Sequence, residues 1–167
     1  AFISYIMRKA TNNIFPKGFS KHTQYAHWAS QNKNATFSLF RINAPEAILE
    51  VGDILINARK KKNEPLATFE EILLKGERSS HGDIVIKVDH SNRKATLFGG
   101  NKTPKEKKSG SVLKVILDLT SDGKILQKPL MAGKTKLSDN RYIAVVKLMP
   151  PLGISYTSSI PPQPPAH

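Results

Sequence analysis

The 167-residue chain contains no cysteine. That excludes a disulfide, a thiolate metal site and a cysteine nucleophile among these residues, but it does not fix a compartment. No apolar run approaches the roughly 20 residues of a membrane-spanning helix, so no membrane span is expected. Acidic residues are scarce: 13 against 26 Lys and Arg, for a net charge of +13. A field of that sign draws polyanions, whether nucleic acid, anionic lipid or the acidic polymers of a bacterial wall. The basic loops at 59–62 and 102–108 contain no aromatic residue. Readers of bases interleave the two types, so nucleic acid is less expected than other anionic polymers. The plain role of such loops is solubility; the sharper one is a binding face. No Walker-type phosphate loop or dinucleotide fingerprint occurs, and no cofactor is expected. The front, Ala1 to Lys9, has a short apolar stretch with its charges behind it, so it does not read as a signal peptide. Without an initiator Met, it is expected to be processed or incomplete.

What is present suits a folded chain: 39% hydrophobic and 23% charged residues, enough for one core. We expect a single domain over 1–149 and a proline-rich tail over 150–167, extended and able to dock on a protein partner. Residues 1–10 read as a helix ending in basic residues. Ser20 is placed to cap a second helix over about 21–31. Thr36 to Arg41 reads as a short helix or turn. The pattern then becomes period two. Gly52-Asp53 is a turn into a strand at 54–56, and His81-Gly82-Asp83 looks like the same device. Residues 69–76 give one or two helical turns ended by Gly76. Further strands are expected at 83–88, 94–98, 112–119 and 142–148. Helices followed by about five strands imply an α+β fold with an antiparallel sheet or small open barrel.

Two residues carry a chemical suggestion. His81 stands at the mouth of an apolar strand, where a general base with a fixed backbone would sit. Asn101 follows Gly99-Gly100 at the end of the next strand. A hairpin would bring its amide oxygen to the ring N–H of His81 and fix the tautomer, as in nucleophile-His-Asn sites. Both also have plain readings, as a loop histidine and a turn. Ser4, in the first turns of the opening helix, is a weak candidate nucleophile. His22 and His27 are five apart, whereas a helical metal pair wants a spacing of about four, so no metal site is expected. His22, Tyr25, Ser4 and Asp83 are candidates for a cleft, with Tyr25 and Trp28 as core or groove wall.

The pieces occur in a recognisable order: Ala1-Phe2-Ile3-Ser4-Tyr5-Ile6-Met7-Arg8; Phe15-Pro16 with Ser20, His22 and Tyr25; Gly52-Asp53-Ile54 leading to Arg59; Ser80-His81 with Asp83-Ile84-Val85; and Gly99-Gly100-Asn101. This order resembles a bacterial domain family of undefined function related to NlpC-type, papain-like cell-wall peptidases. The resemblance covers residues 1–101 and implies a papain-like core, with a nucleophile at a helix N-terminus and a base on the sheet. It implies His81 as base, Asn101 as orienting residue, and peptidoglycan amide bonds as substrate. Two positions depart from the pattern. The nucleophile of NlpC-type enzymes lies three residues before the helix Phe that Phe2 resembles, which falls before Ala1. Gly82 stands where the family tends to have Cys. The expected function is therefore a peptidoglycan-directed amidase or peptidase with its nucleophile upstream of Ala1. The alternative is an inactive papain-like module in a virion or secretion assembly. A secreted, periplasmic or virion-associated location fits either.

Overall fold

The computed structural model describes residues 2–17, 19–31, 40–59, 65–102, 111–126, 130–132, 135–138 and 142–149, with residues 101, 102, 111, 130–132 and 135–138 described by backbone alone. The tail at 150–167 and the loop residues 60–64 and 103–110 lie outside them.

The chain opens with two helices, α1 (Phe2–Ala10) and α2 (His22–Gln31). α1 buries Ile3 and Met7, one turn apart, and leaves Tyr5 exposed. It ends in a turn with Asn12 and Asn13 at positive φ, a conformation Asn tolerates better than most residues. Strands β1 (Phe40–Asn43) and β2 (Ile54–Ala58) follow, then α3 (Phe69–Leu74). After α3 come β3 (Ser80–Asp89), β4 (Lys94–Lys102), β5 (Ser111–Asp118), β6 (Leu130–Ala132), β7 (Thr135–Ser138) and β8 (Tyr142–Leu148). One open six-stranded sheet has the order β1-β8-β2-β3-β4-β5, antiparallel throughout; β6 and β7 form a separate two-stranded antiparallel sheet. The fold is α+β, as expected, with one more strand in the main sheet than expected.

The added strand is β1. Arg41 lies in it and not in a helix or turn; residues 36–39 are outside the described set. Pairing with β8, from Phe40↔Leu148 to Asn43↔Val145, decides its conformation. The Phe40 ring is fully buried and stands 5.2 Å from Phe15 and 5.7 Å from Trp28, centroid to centroid. A four-residue strand whose partner lies a hundred residues away has little local signal.

Two helix ends also differ from expectation. Ser20 does not cap α2 by accepting from its amides. Its hydroxyl donates to Gln24 Oε1, which also accepts the Ser20 and Lys21 amides at 2.9 Å. The Thr23 amide instead donates to Ser80 Oγ at 3.0 Å, tying α2 to β3. α3 carries a capping box between Thr68 and Glu71, but its last cap is Lys75 in an extended conformation, and Gly76 is no left-handed cap. Gly76 answers to packing: a Cβ there would lie 3.0 Å from Gln24 Cα and from His27 Cβ, so α2 rests on bare backbone.

The sheet has two buried faces. Ile54, Ile56, Ala58, Ile84, Ala144 and Val146 pack with α1 and α2. Leu55, Val85, Leu97, Val145 and Tyr142 form a second core with Leu49, Leu117 and Ile125. At the β2–β8 ladder the register shifts between Ile56 and Asn57, so that Asn57 pairs with Tyr142. Such a bulge re-aims side chains at the end of a strand, and the polar site lies at that end.

Candidate functional site

Strand alternation explains which residues meet. His81 pairs with Asn57 across β2 and β3, and Asp83 with Leu55. His81 and Asp83 are two apart on one strand, so they share a sheet face. Asn57 and Arg59 share that face from β2, on the side of Leu55 and the second core. Gly82, between His81 and Asp83, faces the helices.

Three contacts define the cluster. Arg59 Nη2 lies 2.9 Å from His81 Nδ1. A guanidinium is always a donor, so Nδ1 accepts and the ring N–H sits on Nε2. His81 Nε2 faces Asp83 Oδ1 at 3.3 Å. Asn57 Nδ2 donates to Asp83 Oδ2 at 3.0 Å. His81, Asp83 and Asn57 are 3%, 0% and 2% exposed, so these contacts form away from bulk water, where each counts for more. Arg59 is half-buried and held through its own amide, which donates to Ser79 O. Tyr142 stands beside Asn57 with its hydroxyl buried; burial first, then the charge of Asp83, push its ionisation upward, with Asn57 pulling it down.

A second polar pair lies on the helix side. His22 Nδ1 and the Tyr25 hydroxyl are 2.6 Å apart. The Tyr25 hydroxyl is buried and held protonated, by desolvation first and by Asp83 second, and the His22 tautomer sets which of the two donates. His22 is pushed down to about 3, by burial above all and then by the neighbouring His81 and Arg59. It is a neutral group at ordinary pH. Its ring centroid is 5.4 Å from that of His81.

Glycines make this density feasible. A Cβ at Gly99 would fall 1.7 Å from Asp83 Oδ1 and 2.9 Å from His81 Nε2. One at Gly82 would fall 2.2 Å from the Tyr25 hydroxyl and 2.5 Å from His22 Nδ1. One at Gly100 would strike Phe2, with Cβ at 2.5 Å, so the N-terminal end of α1 lies on β4 next to Gly99. Gly82 is therefore not a turn residue. It lies inside β3, and its missing side chain is the reason it is there.

The structure thus brings His81, Asp83, His22 and Tyr25 together. Asn101 lies in β4, three residues past Phe98, the partner of Ile84; its side chain lies outside the described residues. Ser4 is half-buried on α1, and no contact among the described residues joins it to His81. His27 is structural, with its ring nitrogen 3.0 Å from Ile72 O. Sequence reasoning missed Asn57 and Tyr142, and treated Arg59 as a loop charge. The available signal was a polar residue closing the apolar run Ile54-Leu55-Ile56. Arg59's role needs the β2–β3 register, which no local pattern supplies. An open groove of about 470 Å³ lies elsewhere, lined by Phe19, Gln24, His27, Trp28, Gly76 and Glu77. It includes none of the cluster.

Among the described residues no helix is long and apolar enough to cross a membrane. No group of three or more His, Cys, Asp or Glu residues there is placed to hold a metal ion. Comparison with curated proteins and with solved structures returns no match. Residues 1–149, nearly the whole chain, match the model of a family described as an uncharacterized protein conserved in bacteria, DUF2272, and the chain belongs to that family.

Proposed function

We propose that this chain is the core of a peptidoglycan-directed amidase or peptidase of NlpC-type, papain-like design, whose nucleophile is supplied by a residue upstream of Ala1. The observation that carries the reading is the His81–Asp83 pair, buried in the sheet beside the N-terminal end of α1. A base needs one nitrogen held and the other turned to the nucleophile. Asp83 Oδ1 stands 3.3 Å from Nε2, on the side away from Nδ1, which is the nitrogen left for the proton. In this reading Asp83 orients the ring, and Asn101 on the neighbouring strand is a second candidate for that role.

The chemistry follows. The nucleophile attacks the amide carbonyl carbon and passes its proton to His81 Nδ1. The positive end of α1 stabilises the oxyanion. His81 returns the proton to the leaving nitrogen as the C–N bond breaks. Water, deprotonated by His81, then cleaves the acyl intermediate, giving a carboxylic acid and the restored nucleophile. A surface with a net charge of +13 suits an anionic wall polymer, and a secreted, periplasmic or virion-associated setting.

A non-catalytic papain-like module in a virion or secretion assembly is the second reading, favoured by the burial of His81 and the occupation of its Nδ1. Digestion of purified peptidoglycan by the full gene product separates the two. The hydrolase reading predicts released muropeptides, and their loss in His81→Ala. Intact wall with the wild type, or equal release by the variant, would sink it.

A further inference from the structure

Arg59 is oddly partnered. Its guanidinium carries five N–H donors and a permanent charge. Its side chain makes one hydrogen bond, to a ring nitrogen of His81, and forms no ion pair with a carboxylate among the described residues. Other cations of this chain do find acids: Arg78 takes Glu71 at 3.0 Å, and Lys147 takes Glu50 and Asp53 at 2.7 and 3.0 Å. Asp83 is the nearby acid, but it lies behind His81, engaged by Asn57 and facing Nε2. Among the described residues nothing else takes the donors of Arg59 not used on His81, and its side chain is half-buried.

The contact also has a chemical consequence. While Arg59 donates to Nδ1, that lone pair cannot accept a proton. The bond that fixes the tautomer of His81 also blocks it as a base. A carboxylate is a far better partner for a guanidinium than a neutral ring nitrogen, because two charge-assisted bonds form in a matching fork.

We propose that Arg59 is the recognition residue for a free carboxylate on the ligand, and that binding this carboxylate draws the guanidinium away from His81 Nδ1. The ligand class is an acyl-amino acid or peptide with a carboxylate close to the amide. This rests on the hydrolase reading for its catalytic consequence, but the binding stands apart from it. Arg59 couples occupancy to activity: the base is released only when a carboxylate-bearing substrate is in place. Without one, His81 stays capped and the site idles.

The test separates binding from catalysis. In the full-length protein, side-chain ¹⁵N resonances of His81 are followed by NMR, assigned with His81→Asn. N-acetyl-alanine and N-acetyl-alaninamide are titrated as matched probes, one with and one without the carboxylate. The free protein should show Nδ1 as an unprotonated acceptor. N-acetyl-alanine should perturb it and bind about tenfold more tightly than the amide, as expected for one charge-assisted pair. Arg59→Gln should erase that preference, and Arg59→Lys should retain part of it, with thermal unfolding confirming that both variants fold. Equal binding of the two probes, or a preference surviving in Arg59→Gln, would overturn the assignment. So would a protonated Nδ1 in the free protein. Failure to digest peptidoglycan with the carboxylate preference intact would instead remove only the hydrolase reading.

Discussion

The tripeptide Gly-Asp-Ile occurs twice, at 52–54 and 82–84, and the two copies cross in space at the Ile54↔Ile84 pair of β2 and β3. Identical residues do different work. Gly52 turns the chain at φ +96°, and a Cβ there would make only ordinary contact with the Leu148 side chain. Gly82 lies inside a strand and leaves room for the Tyr25 hydroxyl and His22. Asp53 accepts from the Glu50 amide at 2.9 Å and from Lys147 at 3.0 Å, so its buried charge has a full cation as partner. Burial still raises its pKa, against the pull of those bonds. Asp83 is equally buried but meets the amide of Asn57 and the edge of His81. The first copy closes a loop onto β8. The second places a carboxylate oxygen 3.3 Å from an imidazole nitrogen. In the proposed hydrolase Asp53 is thus a loop tie, and Asp83 is the partner of the base.

Removing each carboxylate is the largest way to break this comparison. Asp83→Ala strands the Asn57 amide in the core and removes the carboxylate beside His81 Nε2, and should cost about 3 kcal/mol. Asp53→Ala leaves Lys147 with Glu50 and the Ile48 carbonyl, and should cost about 1 kcal/mol. Denaturant unfolding of both variants checks the order; equal losses would mean that the two sites are alike.

The glycines give the next effect. Gly99→Ala places a methyl against Asp83 Oδ1 and should cost about 2 kcal/mol through overpacking. Gly52→Ala meets only Leu148, with its nearest atom at 3.7 Å, and should cost about 1 kcal/mol from its backbone angle alone. A Gly99→Ala variant as stable as the wild type would show that the His81–Asp83 arrangement is loose.

His22 sharpens the electrostatic side. Its folded pKa is depressed to about 3 from an ordinary 6.5. The unfolded chain therefore binds a proton below pH 6.5 that the folded chain refuses until about pH 3. Stability should fall as pH drops through that window, by at most about 1.4 kcal/mol per unit. His22→Gln should flatten that slope relative to the wild type. Unchanged slopes between pH 6 and about 4 would show that His22 protonates freely in the fold.

Much of this was legible in the residues. Alternation and turn residues give the long strands, and the His81-x-Asp83 spacing alone puts both side chains on one face. The apolar spacing of Ile3 and Met7 gives the buried side of α1. The rest depends on register. Arg59 and Asn57 reach His81 and Asp83 only because Asn57 stands opposite His81, and Tyr142 joins them through a bulge. β1 exists because β8 pairs with it. Gly82 looks like a turn residue beside Asp83 until Tyr25 is placed over it. These are long-range facts, and local chemistry does not encode them.

The most direct test compares the two copies in one assay: peptidoglycan digestion by the full-length protein carrying Asp83→Asn or Asp53→Asn, both checked for folding. An amide at 83 presents a donor or a weaker acceptor to Nε2–H and should lower the rate by at least about 100-fold. The same change at 53 should leave the rate within about threefold of the wild type, since it alters a loop tie and no group near His81. Equal rates for the two variants, with both folded, would contradict the account.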